Sequence, residues 1–307
     1  MIEISIISPV YKAANIVDKL VEEIVKYVSE ITSNYEIILV EDGSPDNSWE
    51  KIEENCKKNG KVKGVKLSRN FGQHFAITAG LNESKGDYVI VMDCDLQDNP
   101  KYIIDLVNKA KSGFDIVYTS KLERKHSVFK NVTSMFFFKI FNYLTENQTG
   151  NSSIGAYSLL SRKVVNAFCS INDTHRHYLM ILRTLGFAAT QIPIIHDKRF
   201  EGKSSYNLSK LINHALDGIT SQSDKLLRIS ISVGFLFCII SIATAIYTVA
   251  KYLIIGALPG YTSLTSLISL STGLILLSIG VVGMYIGKIF EQVKNRPLYF
   301  IDKKLNI

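Results

Sequence analysis

The run "VMDCDLQDNP" (91–100) sets Asp93, Asp95 and Asp98 close together behind an apolar stretch. Carboxylates at that spacing repel one another unless positive charge lies between them. Side chains two positions apart on an extended segment point to the same side, so Asp93 and Asp95 are expected to share one. Such a pair suits a hard divalent cation, Mg2+ or Mn2+, which binds through one or two carboxylates and completes its shell with water and phosphate oxygens. A cation there would neutralise the charge that builds on a departing diphosphate. D-x-D alone is common in surface loops; its place after an apolar strand gives it weight. A second acidic block, "EDGSPDNS" (41–48), also follows an apolar run. Asp42 is expected to accept hydrogen bonds from a pyrimidine ring or a ribose, and Gly43 permits the tight turn that presents it. The same residues are also good turn formers in their own right.

The elements that must position these groups alternate in kind. "EISIISPV" (3–10), "YEIILVED" (35–42), "KVKGVKLS" (61–68), "DYVIVMD" (87–93) and "FDIVYTS" (114–120) read as strands. Between them lie helical patterns: residues 14–31, with Ile16, Leu20, Ile24, Val28 and Ile31 at helical spacing; 43–58, with Asp46 or Asn47 as cap; 72–84; and 99–113, with Pro100 near its start. The alternation predicts a mostly parallel sheet with helices on both faces. Ligands in such sheets bind beyond the carboxyl ends of the strands. There the polar residues fall: Tyr11, Glu41 and Asp42, Arg69 and Asn70, Asp93 and Asp95.

The C-terminal third differs. No charged residue occurs in 229–250 or in 252–287, and "GALPGYTS" (256–263) breaks the apolar run. Two transmembrane spans are expected, roughly 229–253 and 264–287, each long enough for the ~20 residues a bilayer core requires. Lys225 and Arg228 precede the first span, and Lys288, Lys294 and Arg296 follow the second. The positive-inside rule therefore puts both termini on the cytosolic side of the membrane. "MIEISIISPVYK" reads as a strand, not a signal peptide. The aromatic-rich stretch 128–144 and the stretch 204–228 read as interfacial amphipathic helices. The expected organisation is a cytosolic domain over 1–200, a juxtamembrane helix over 201–228, a transmembrane hairpin over 229–287 and a cytosolic tail over 288–307. The net charge of +7 is attributed to headgroups and anionic ligands rather than to nucleic acid, because basic residues gather beside the spans. Cys56, Cys94, Cys169 and Cys238 have no metal-type spacing, and no disulfide is expected. His175 and His177 in "HRH" read as a solvated turn, the other histidines as structural or surface residues, and Trp49 as a helix packing residue.

The blocks "ISPVYKAANI", "ILVEDGSPDNSW", "LSRNFGQHFAITAGL", "GDYVIVMDCDLQDNP" and "GKSSYNLSKL", with two spans after them, resemble the family 2 glycosyltransferases of GT-A fold. More narrowly, they resemble the polyisoprenyl-phosphate glycosyltransferases. The resemblance implies a Rossmann-like GT-A catalytic domain, a nucleotide-sugar donor (UDP-glucose above others), an undecaprenyl phosphate acceptor, Mg2+ or Mn2+, and transfer with inversion at the cytoplasmic membrane face. It implies that Pro9, Tyr11 and Asp42 line the nucleobase pocket, with Arg69 and Asn70 nearby. Asp93 would contact the ribose or diphosphate side, and Asp95 would ligate the metal, with Gln97 as a further ligand. Arg199, Lys203 and Ser205 would lie on a loop that covers the donor and meets the lipid phosphate. A homo-oligomer is also expected. The chain departs from the family pattern at Ala13 and Ala14, where a Glu usually follows the Tyr. It departs again in "GAYSLLSRKVV", where Ala156 and Ser158 replace an acidic and a basic residue. Two other readings stand beside this one: transfer to a saccharide hydroxyl, with Asp98 as the base, and a non-catalytic membrane partner.

Overall fold

The computed structural model describes residues 2–121, 154–174, 176–195, 225–255 and 260–307. Arg199, Lys203, Ser205, the aromatic stretch 128–144, most of 204–228, His126, His175 and His214 lie outside the described residues. The chain divides into two compact units. One comprises Met1–Lys125, Gly150–Ser204 and Arg296–Ile307, the other His126–Thr149 and Ser205–Asn295.

The first unit is built on one eight-stranded sheet. Its strands are β1 (Ile4–Val10), β2 (Tyr35–Glu41), β3 (Val62–Leu67), β4 (Tyr88–Val91), β5 (Ile116–Lys121), β6 (Ile154–Ser161), β7 (Ala189–Ile194) and β8 (Ile301–Leu305), in the order β7-β5-β6-β4-β1-β2-β3-β8. β1 pairs in parallel with β2 and with β4, β2 with β3, and β5 with β7. β6 runs antiparallel to both β4 and β5, and β8 antiparallel to β3. Every residue of β1 and β2 is buried, as continuous apolar runs in a sheet covered on both faces should be.

Side chains alternate along the strands, so the sheet has two cores. On one face Ile4, Ile6, Ile37 and Leu39 pack with α1 (Val17–Val28), α2 (Ser48–Lys58) and α4 (Tyr102–Lys111). On the other, Ile7, Ile38 and Val40 pack with α3 (Gln73–Glu83), α5 (Arg162–Ser170) and α6 (Tyr178–Thr184). α1 and α2 thus cover one face and α3 the other, and the chain reverses its direction of travel at β1 and β4. That reversal opens a crevice beyond their carboxyl ends, where sheets of this kind bind ligands.

The structure shifts one boundary and adds two strands to the reading from sequence. α1 begins at Val17 instead of residue 14 because the N–H groups of Ala13 and Ala14 bond to the side chains of Ser48 and Asp46. β6, inserted between β4 and β5, was not read as a strand. The tail contributes β8, which closes the edge beside β3; Asn306 Nδ2 donates to the carbonyls of Cys56 and Val62 at 2.9 and 2.8 Å, and Lys304 pairs with Glu83 at 2.7 Å.

In the second unit two long helices are described, α7 (Lys225–Ile255) and α8 (Tyr261–Val293). Both outrun the spans read from sequence. Among the described residues, Leu270–Val293 of α8 is the stretch long and apolar enough to cross a membrane.

Candidate active site

The crevice is assembled from four strand ends. Asp42 N–H donates to the Val10 carbonyl at 3.0 Å and Met92 N–H to that of Ile7 at 3.0 Å, which extends the pairing of β1 with both neighbours into the rim. Tyr11, the first residue past β1, is 44% exposed, so its ring is available to a ligand. Pro9, two residues earlier, is buried within β1.

Asp42 is buried, and its carboxylate is engaged by the neighbouring loop. Oδ1 accepts the Phe71 N–H at 2.7 Å and Oδ2 the Gly72 N–H at 2.9 Å, while Asn70 Nδ2 donates to the Asp42 carbonyl at 3.0 Å. Burial lifts the Asp42 carboxyl above the ordinary aspartate range; the two N–H bonds pull against this, and neighbouring Glu41 adds to it. The residue expected to face the nucleobase is thus also the latch of the β3–α3 loop. Gly43 makes the approach feasible. Its φ is +62°, and a Cβ there would collide with the backbone of Arg69 and Asn70. Arg69 and Asn70 are exposed, and the Arg69 guanidinium lies 4.5 Å from the centre of the Phe71 ring.

The rest of "EDGSPDNS" braces the β1–α1 loop. Ser44 Oγ accepts the Lys12 N–H at 3.1 Å, Asp46 Oδ2 that of Ala14 at 3.2 Å, and Ser48 Oγ that of Ala13 at 3.0 Å. Asp46 Oδ1 also accepts the Ser48 N–H and Oγ–H, at 3.3 and 2.6 Å. Asp46, more than Asn47, therefore satisfies the start of α2.

The Asp93–Asp95 pair departs from the expected geometry. β4 ends at Val91 and the chain turns at Cys94 and Asp95, with Leu96 at φ +54°. The turn is held by Asp95 Oδ1, which accepts the Gln97 N–H at 3.1 Å. Asp93, Asp95 and Gln97 are all half-buried. Cys94 joins this turn to β1 through a backbone hydrogen bond from Tyr11. Burial, reinforced by Asp93, pushes its thiol up to about 12. The local donors are two carboxylates and an amide oxygen, the hard set that Mg2+ or Mn2+ takes. Among the described residues no three His, Cys, Asp or Glu side chains form a metal cage; a two-carboxylate site that leaves positions for phosphate and water fits what is present.

Sequence reasoning missed Gln73. It opens α3, and its Nε2 donates to Asp93 Oδ1 at 2.6 Å. Nothing in its spacing marks it. Val91, the last residue of β4, pairs with Ser158 of β6, two residues from Ala156. In the "HRH" stretch His177 is exposed, and His175 lies outside the described residues. Arg176 is buried, donating to the Phe168 carbonyl at 2.9 Å and to the Ile171 carbonyl, which closes the end of α5. The His177 ring lies tilted at 43° to that of His74, with centroids 4.4 Å apart.

Residues 5–168 match the model of glycosyl transferase family 2. The chain belongs to this family. As a family 2 glycosyltransferase it is an enzyme of sugar transfer, and its α/β sheet is the GT-A type. It is 35% identical over 303 residues to an uncharacterized glycosyltransferase of Synechocystis, covering 98% of this chain and 95% of that protein. It is 32% identical to the undecaprenyl-phosphate 4-deoxy-4-formamido-L-arabinose transferase of Proteus mirabilis, over 99% of this chain and 94% of that one. Glucosyl-3-phosphoglycerate synthase of Mycobacterium tuberculosis, solved with Mn2+, UDP and phosphoglyceric acid, shares the fold. Its TM-score is 0.53 at 16% identity, with 71% of this chain and 76% of that one covered.

Proposed function

We propose that this glycosyltransferase moves a sugar from a nucleotide-diphosphate donor to undecaprenyl phosphate at the cytoplasmic face of a membrane, with inversion at the anomeric carbon. The observation that carries the reading is the Asp93–Asp95 turn at the β1/β4 crevice of a family 2 sheet, where a donor diphosphate would meet a divalent cation. The acceptor is supported by the Proteus mirabilis relative, whose likeness runs through the C-terminal helices as well as the sheet.

Tyr11 and the Asp42-latched loop with Arg69 and Asn70 would hold the nucleoside. Asp93 and Asp95, with Gln97, would hold Mg2+ or Mn2+, which when bound supplies positive charge to the departing diphosphate. Arg199, Lys203 and Ser205 would meet the phosphate of the lipid. An oxygen of that phosphate attacks the anomeric carbon as the bond from the carbon to the nucleotide diphosphate oxygen breaks, and the electron pair leaves with the nucleotide. A phosphate monoester has its second pKa near ~6, so the nucleophile is already an anion and needs no general base. Ala156 in place of an acidic residue is compatible with that chemistry, whereas a saccharide hydroxyl would need a base. α7 and α8 would form a membrane hairpin.

UDP-glucose is the proposed donor. A nucleotide-linked 4-deoxy-4-formamido-L-arabinose is the second reading, favoured by the named activity of the Proteus and Serratia relatives. A screen of donors with membranes containing the full chain, Mg2+ and undecaprenyl phosphate separates them by the mass of the lipid product. An acid-labile lipid-linked sugar is expected. Transfer to a saccharide with no lipid product would overturn the acceptor assignment.

A further inference from the structure

The geometry points to Gln73 as a positioning residue that sets the Asp93 carboxylate for the divalent cation. This inference rests on the proposed metal-dependent transfer and names a residue outside the acidic motif.

Gln73 Nε2 lies 2.6 Å from Asp93 Oδ1, across twenty residues of sequence. A bond that short from an exposed side chain is specific, since an exposed glutamine otherwise spreads over several rotamers. Two features hold the glutamine where it is. It is the first residue of α3, and α3 is pinned to the sheet. Gly80 lies against Ile7 so closely that a Cβ would overlap the Ile7 side chain, and Ala76, Ile77 and Ala79 are fully buried. The residue before it, Gly72, sits at φ +106° with its N–H on Asp42 Oδ2. A relay therefore runs from Asp42 at the end of β2, through Gly72 and Gln73, to Asp93 at the end of β4. It bypasses β1, which lies between those strands in the sheet.

The chemistry of the amide suits the task. A neutral donor fixes a carboxylate by one oxygen and leaves its net charge intact for a cation. A lysine in that place would cancel the charge and compete for the same oxygens; a glutamate would repel it. Partners one step behind a metal ligand orient it, and their loss typically lowers metal affinity by about 10–100-fold.

The test uses the full-length protein in detergent or nanodiscs, with Mn2+ binding followed by electron paramagnetic resonance and UDP binding by calorimetry at stepped Mn2+. Gln73→Met keeps the length and bulk of the side chain and removes the donor. It is expected to weaken Mn2+ binding about 10-fold, to leave metal-free UDP binding and thermal unfolding as in wild type, and to raise the Mn2+ concentration for half-maximal transfer without changing the rate at saturating metal. Asp95→Asn is the control. Unchanged Mn2+ binding in Gln73→Met, with binding lost in Asp95→Asn, would overturn the role of Gln73 alone. Unchanged binding in both would overturn the metal site itself, and the inference with it.

Discussion

Gly72 donates its backbone N–H to the Asp42 carboxylate at 2.9 Å, joining the turn after β2 to the residue that precedes α3. With the Phe71 N–H on the other oxygen at 2.7 Å, one buried side chain satisfies two loop donors that have no strand to pair with. Asparagine at 42 can accept only one of them and turns an N–H2 toward the other. Asp42→Asn should cost about 1–3 kcal/mol, the penalty of an unmade buried hydrogen bond, and should weaken nucleotide binding. Chemical denaturation and UDP calorimetry on the same preparation read both effects.

Asp95 acts at the opposite wall of the crevice. Its Oδ1 closes the turn onto Gln97, and the carboxylate is a proposed cation ligand. Asp95→Ala should abolish metal-dependent sugar transfer to undecaprenyl phosphate, measured in membranes with Mg2+, with Mn2+ and with chelator. Full activity in this variant would refute its assignment.

Glu36 contributes acid sensitivity to the sheet. Burial alone would raise its carboxyl, but hydrogen bonds from Lys63, Ser5 and the Lys85 N–H outweigh burial and hold it below the ordinary glutamate range. The Lys63 ammonium lies 2.5 Å away. A depressed carboxyl stabilises the fold above its unfolded pKa, ~4.3, and that stability is lost as pH falls through the lower folded value. The raised carboxyl of Asp42 works in the opposite sense and partly masks the slope. Glu36→Gln leaves a buried ammonium without its counter-charge. It should lose about 3–5 kcal/mol at neutral pH and show a flatter decline below pH ~4.3. Denaturation midpoints across acid pH test this.

The C-terminal strand is part of the catalytic unit. Ser68 N–H donates to the Phe300 carbonyl at 2.9 Å, and the Phe300 ring lies 6.4 Å from that of Phe71. β8 thus reaches the loop that Asp42 latches. Removing residues 301–307 strips the cover from the β3 edge, and bare edges associate. The truncated chain should unfold at lower temperature and elute as aggregates. The milder Asn306→Ala removes two hydrogen bonds and should cost about 1–2 kcal/mol while remaining monodisperse at the wild-type elution volume.

Much of the sheet could be read from the chain because period and burial coincide there. The runs around β1 to β5 are apolar and bounded by turn residues, so each was found to within about three residues at either end. β6 was missed: "IGAYSLLS" carries small and polar residues, and its partners lie more than thirty residues away in sequence. β8 was missed for a related reason. "IDKKL" is charged and largely exposed, as an edge strand is allowed to be, and so it resembles a tail. At the site, Asp42, Asp93 and Asp95 were legible because carboxylates at strand ends stand out chemically. Gln73 was not, because an amide becomes informative only when its partner is known.

The chemical groups, their order along the chain and the class of protein were fixed by local pattern: apolar periodicity, acidic spacing and uncharged length. Which groups meet was decided by packing. The crossing of α3 from β3 over to β4 brings Asp42, Gly72, Gln73 and Asp93 into one relay. The turn at Cys94 replaces the extended geometry that spacing alone suggested. A hydrogen bond needs atoms within about 3 Å, and residues tens of positions apart come that close only once a sheet with its helices has settled on one topology.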